Sequence, residues 1–281
     1  MISLIPKKEM TNFSNFLKKR HKLLKTKDMS TQAFQKYEKL HGKVTAKKAQ
    51  KNISKILEDC IKIETKNFMR IKNNIQGNWP EDLFNNKNSK KSYPTVFKNT
   101  NRALNVLNQN TTNEKKLNQI IKATSEITEK IVFGLKQSAK TRAGQCLENH
   151  LEKIFEILGV GCETQKTVDK QRLDFILPSL AKLKEDPSTT SLVECQTTLK
   201  DRFRLTSGKR QALHAKKYLA TATGANVITL VDDTDITKEK LAELSAHGIN
   251  LITFQEVRAG LVNKKYDVTN VISYEQFVRG L

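Results

Sequence analysis

The sequence predicts an α/β fold in its C-terminal part, on three observations. From residue 140 onward amphipathic stretches alternate with short apolar ones, in the order helix, strand, strand, helix, strand, helix, strand. That is the order of an α/β layer fold. The apolar runs are rich in β-branched residues, as in ANVITLVDD and INLITF, and so suit buried strands. Gly or Pro punctuates the ends of several elements.

Taken in order, KTRAGQCLENHLEKIFEILGVG carries Leu147, Leu151, Ile154, Ile157 and Leu158 at helical spacing and stops at Gly159 and Gly161. QRLDFILP reads as a short strand ending at Pro178, and SLVECQTT as a second strand after the turn-like KEDPSTT. DRFRLTSGKRQALHAKKYLATATG is polar and helix-compatible, closed by Gly224; ITKEKLAELSAHG is a short helix with a glycine stop. Upstream, Phe13, Phe16 and Leu17, and again Ile53, Ile56, Leu57 and Ile61, predict amphipathic helices. A further helix is expected over about 112–137. Residues 76–99, with two prolines, the only Trp and many Asn and Ser, read as an ordered loop or linker. The expected organisation is a mainly helical region over 1–110 and an α/β domain over 111–281.

Charge indicates the class of partner. The 281 residues hold 50 Lys+Arg and 29 Asp+Glu, a net charge of +21. Residues 1–110 contain 24 basic and 8 acidic side chains (+16); the remaining 171 contain 26 and 21 (+5). Lys and Arg that neutralise phosphates gain affinity by releasing condensed counterions, so a polyanion partner is expected, gripped mainly by the N-terminal part. A mean hydropathy of −0.55 and the lack of a long apolar run exclude a membrane span, and no secretory leader is evident, so a cytoplasmic protein is expected. Cys60, Cys146, Cys162 and Cys195 are widely spaced, which argues against a disulfide framework. Neither a phosphate-binding loop nor a dinucleotide glycine fingerprint is present, so nucleotide hydrolysis and hydride transfer receive no support.

The acidic residues carry the chemistry. Asp174 lies inside the first short strand, and Glu194 lies in the second with Gln196, two residues on and on the same face; Cys195 points the other way, into the sheet. Singly, such residues are commonly turn or edge residues. Charged groups within otherwise apolar strands are seldom buried without a partner, however. If the strands pair, Asp174 sits beside Glu194, and two carboxylates at that distance call for a cation, an all-oxygen pair favouring Mg²⁺.

A strand Asp followed by a Glu-x-Lys-like strand resembles the PD-(D/E)xK nucleases, here as Leu173-Asp174-Phe175 and Glu194-Cys195-Gln196. More specifically, residues 140–255 resemble the C-terminal catalytic domain of EcoRII-type restriction endonucleases. That resemblance rests on Arg142-Ala143-Gly144 with Leu147-Glu148 and His150-Leu151-Glu152, on Asp174 to Pro178-Ser179, and on Thr197-Thr198 with Lys200-Asp201-Arg202-Phe203-Arg204. It implies a restriction-endonuclease-like mixed β-sheet core flanked by helices. It further implies a divalent metal held by Asp174, Glu194 and the Cys195 carbonyl, with Glu148 on the preceding helix as a further acidic residue and Glu152 as its alternative. Gln196 stands where the family usually has Lys and offers a dipole in place of a charge, with Lys200 a possible substitute.

Lys200, Arg202, Arg204, Lys209 and Arg210, and less strongly Arg142, are the candidates for DNA contact; their alternative role is a solvated helix face. The activity so implied is that of a type II restriction endonuclease: Mg²⁺-dependent hydrolysis of both strands of double-stranded DNA at a short site. Such an enzyme is expected as a two-fold homodimer paired functionally with a DNA methyltransferase. The competing readings are a repair or recombination nuclease of the same fold, and a degenerate, binding-only domain.

Overall fold

The computed structural model describes residues 4–168, 171–196, 214–222 and 236–281. The chain divides into two compact units, each discontinuous in sequence: residues 1–25 with 66–141, and residues 26–65 with 142–281.

The first unit is helical. It contains α1 (Lys7–Arg20), the second half of α3 (Ala46–Asn85), α4 (Ser89–Ser92), α5 (Pro94–Leu107) and the first part of α6 (Asn113–Leu158). Met10, Phe13 and Leu17 recur at helical spacing on α1. They pack with Ile75, Trp79 and Leu83 of α3, with Tyr93 and Val96, and with Ile127, Ile131 and Leu135 of α6. The Glu9 carboxylate accepts from the backbone N–H groups of Thr95 and Val96, both at 2.8 Å, and so caps α5. Residues 76–99, expected as a loop, are instead mostly helical: α3 continues through Pro80, and α4 and α5 follow. The reason is burial. Trp79, Leu83 and Val96 are all in this core, and the gain from burying them outweighs the bond that Pro80 cannot donate.

The second unit is a mixed six-stranded sheet with flanking helices, in the order β1 (Glu163–Val168), β2 (Gln171–Leu177), β3 (Ser191–Gln196), β4 (Lys216–Thr221), β5 (Ile249–Thr253) and β6 (Val271–Ser273). Strands β1, β2 and β3 pair antiparallel; β3 to β6 pair parallel. The expected α/β architecture is therefore present. The strands expected around Asp174 and Glu194, the helix now α8 (Lys238–Ala246) and the strand β5 all form. Differences lie at polar stretches: β1 was not anticipated, and Lys216–Thr221, expected as helix, is β4. Leu219 and Ala220 there are buried, so sheet packing wins over local propensity. The two helices expected over 112–137 and 140–158 are one continuous α6. The strand expected over ANVITLVDD lies outside the described residues.

Alternation along the strands fills both faces. Phe175, Leu177, Val193, Cys195, Ala220 and Ile252 join a cluster with α2 (Thr26–His41), the first half of α3, the end of α6 and α10 (Tyr274–Arg279). Ile176, Leu192, Leu219 and Leu251 join Leu241 and Leu244 of α8 and Leu261 of α9 (Gln255–Asn263). Phe155 is fully buried, edge-on to Phe175 and Phe277 with ring centroids 5.2 and 6.2 Å away. Helix α6 ends where Gly159 takes φ +70°, with the Val160 N–H returning to the Phe155 carbonyl at 3.0 Å, as the glycine stop predicted. The next glycine is needed for close approach: a Cβ at Gly161 would stand 3.2 Å from the Pro178 carbonyl oxygen. Helix α7 (Leu180–Glu185) follows β2, and its Leu180 N–H donates to Glu163 on β1 at 2.9 Å.

No helix among the described residues is long and apolar enough to cross a membrane.

Candidate active site

Strand pairing brings the two strand carboxylates together. The β2–β3 register sets Phe175 opposite Val193 and Ile176 opposite Leu192. Continued one residue beyond the last paired residues, this register would set Asp174 opposite Glu194. Directly opposed side chains on antiparallel strands have Cβ atoms about 4.5–5.5 Å apart, and like charges there repel. Both residues are only 2% exposed, so water does little to screen them.

Hydrogen bonds fix both carboxylates. Asp174 Oδ2 accepts the Cys195 N–H at 2.8 Å, which ties the acid on β2 to the backbone of β3. Glu194 Oε1 accepts from Gln196 Nε2 at 3.1 Å, the two side chains sharing one face of β3 as their spacing predicted. The Cys195 side chain is buried in the core beneath the sheet.

A third carboxylate comes from α6 through a residue that sequence reasoning passed over. Gln165 on β1 stands opposite Asp174 in the β1–β2 register, and its amide nitrogen donates to Asp174 Oδ1 at 3.3 Å and also to Glu148 Oε2. Its backbone has φ +56°, a left-handed conformation that costs a non-glycine residue about 1–2 kcal/mol. Such a conformation persists only where surrounding contacts require it. The one signal in the sequence is a Gln in a polar run just before the Asp174 strand; nothing in its periodicity marks it.

The acidic centre is thus Glu148 and Asp174, which share the Gln165 amide, and Glu194, which accepts from the Gln196 amide. The donor set fits a hard divalent cation, which carboxylate oxygens suit better than nitrogen or sulfur ligands would. Glu152, weighed as an alternative to Glu148, instead pairs with Lys27 at 3.1 Å. Arg142 is half-buried, with its guanidinium against the Met29 sulfur, and burial lowers its pKa from the usual value while Glu64 and Cys146 oppose that shift. Lys200, Arg202, Arg204, Lys209 and Arg210 lie outside the described residues.

The comparisons with known proteins bear on the family and the fold. The family model described as EcoRII C terminal matches residues 134–278, which contain all three carboxylates. Solved structures similar to this chain include metal-depleted Ecl18kI in complex with uncleaved, modified DNA, at 14% identity and a TM-score of 0.71, covering 96% of this chain and 82% of that one. A second complex of metal-depleted Ecl18kI, with uncleaved DNA, gives 16% and 0.70 with the same coverage. The PspGI restriction endonuclease bound to substrate DNA gives 12% and 0.59, covering 92% of this chain and 91% of that one. At these identities the likeness is one of fold, and the fold is restriction-endonuclease-like. No curated protein sequence is significantly similar to the chain. Because the family match spans more than half of its length, the chain belongs to the EcoRII C-terminal family of type II restriction endonucleases.

Proposed function

We propose that this protein is a Mg²⁺-dependent type II restriction endonuclease that hydrolyses phosphodiester bonds in double-stranded DNA at a short specific site. The observation that carries the reading is the buried carboxylates Asp174 and Glu194 on the neighbouring strands β2 and β3, with Glu148 joined to Asp174 through Gln165. Asp174, Glu194 and the Cys195 carbonyl would hold the metal, and Glu148 would supply a further carboxylate. Such an ion provides charge neutralisation at a phosphate and a more acidic water. The protein's own part is positional. The Cys195 N–H holds Asp174, Gln165 holds Asp174 and Glu148, and Gln196 orients Glu194 and the attacking water.

The DNA complexes formed by Ecl18kI and PspGI support duplex DNA as substrate. General grip on the phosphates is assigned to residues 1–110 with their charge of +16, and contacts near the scissile bond to Lys200, Arg202, Arg204, Lys209 and Arg210. A near-palindromic site calls for a two-fold homodimer, and host DNA then needs protection by a partner methyltransferase. Plasmid DNA incubated with Mg²⁺ and the wild type should yield discrete fragments, and Asp174→Ala should yield none. Equal cleavage by both would remove the metal assignment.

A binding-only reading is favoured by one observation, the uncharged Gln196 amide beside Glu194. Tight, salt-sensitive DNA binding without cleavage under Mg²⁺ or Mn²⁺ would select it.

A further inference from the structure

Away from the acidic centre, the described residues hold one group of three metal-capable side chains whose ligand atoms all lie within 4.8 Å of one another: Glu64, Cys146 and His150. Cys146 and His150 are four residues apart on α6 and so share a helix face; Glu64 comes from α3 in the same unit. All three are buried, at 3%, 6% and 1% exposure respectively.

The geometry suits a tetrahedral ion. Glu64 Oε2 lies 3.3 Å from Cys146 Sγ and 3.2 Å from His150 Nε2. Zinc bonds of about 2.0–2.3 Å give tetrahedral ligand-to-ligand edges of about 3.3–3.6 Å. Among the described residues, His150 Nε2 and Glu64 Oε1 have no hydrogen-bond partner although both are buried. Despite its 3.2 Å approach to Glu64, the imidazole is not aligned as a donor to that carboxylate, so the two groups converge without bonding each other. A cation bound there would satisfy the imidazole nitrogen.

We infer that Glu64, Cys146 and His150 form a structural site for a borderline-soft divalent cation of the zinc class, separate from the acidic centre. The mixed oxygen, sulfur and nitrogen set disfavours Mg²⁺ and Ca²⁺ and suits Zn²⁺. A carboxylate and a thiolate together balance the ion's two charges. His150 also lines a cavity of about 620 Å³ together with Ser30 and Asn149, and Ser30 Oγ donates to Glu64 Oε2 at 2.7 Å. Glu148 lies between the two α6 ligands in sequence, so an ion here would pin the helix segment that presents it.

The test uses the full-length chain and needs no cleavage assay. Wild type purified from zinc-supplemented cells without chelator should carry zinc nearly equimolar with the chain by elemental analysis. Replacing the metal with Co²⁺ should give a near-ultraviolet thiolate-to-cobalt band and tetrahedral visible bands. Cys146→Ser should lose the thiolate band, and His150→Ala should lose bound zinc. Because the wild-type measurements do not depend on any variant folding, wild type that holds no zinc and gives no thiolate band overturns the inference. Retention of the band in Cys146→Ser would overturn it as well. Loss of DNA cleavage alone would bear only on the acidic centre.

Discussion

Gln165 offers the sharpest test of the acidic centre, because its amide lies where a cation bound by both Glu148 and Asp174 would also have to lie. Replacing it by glycine has two opposed effects. Hydrogen bonds to charged groups contribute about 1.5–3 kcal/mol each, and with the Asp174 contact at 3.3 Å the pair sums to about 3 kcal/mol. Glycine at φ +56° relieves about 1–2 kcal/mol of strain, less about 0.5–1 for the greater freedom of its unfolded chain. The metal-free Gln165→Gly protein should therefore be less stable by about 2 kcal/mol, or roughly 4–8 °C in melting temperature. Its carboxylates then face each other with less compensation, and a divalent ion should restore more than it adds to wild type. Saturation at 100 times Kd contributes about 2.7 kcal/mol, enough to offset the whole loss. Differential scanning fluorimetry with and without Ca²⁺ measures both quantities. Equal Ca²⁺ shifts in wild type and Gln165→Gly would refute the reasoning, since the amide would then have no competition with the ion.

Further outcomes follow from the same structure. Gln196→Lys places a cation beside Glu194, and a charge-assisted contact stronger by about 1.4 kcal/mol should raise the plasmid cleavage rate about tenfold; an unchanged or lower rate would show that the amide suffices. Phe155→Ala removes a fully buried ring from contact with Phe175 and Phe277 and should cost about 3–5 kcal/mol, read as a lower urea midpoint. In metal-free protein, burial raises the Cys60, Cys146 and Tyr274 pKa values above their usual 9.0, 9.0 and 10.0. Above those values the unfolded chain loses protons that the folded chain keeps. Stability is therefore unaffected below about pH 9 and falls as pH rises beyond it. Urea midpoints that stay level up to pH 11 would contradict this.

The parts of the fold that were legible from sequence are those where burial imposes a pattern. Asp174 and Glu194 were identifiable because they interrupt apolar strands, and Gly159 because it ends a helical stripe with a left-handed residue. The pairing of the strands that carry those two acids follows from the strands' being neighbours in sequence. What stayed hidden lacks such a pattern. Strand β1, ETQKTV, is polar at nearly every position, so neither it nor Gln165 stands out. Residues 76–85 carry Gly77 and Pro80, and only the burial of Trp79 and Leu83 explains their helix. Nothing in the sequence links Cys146 and His150 to Glu64, which lies 82 residues before Cys146 in the chain.

The polarity that concealed β1 also has a consequence for association. Among the described strands β1 is the edge of the sheet, and it presents backbone groups that could pair with a strand from another molecule. Glu163 and Lys166, themselves ion-paired at 3.3 Å, place charge along that edge, and Gln165 breaks its extended conformation in the middle. An incoming strand would have to bury those charges and could not keep a continuous ladder past the left-handed residue. The residue that positions two carboxylates therefore also guards the sheet against edge-to-edge aggregation, so Gln165 is constrained both by the site and by solubility.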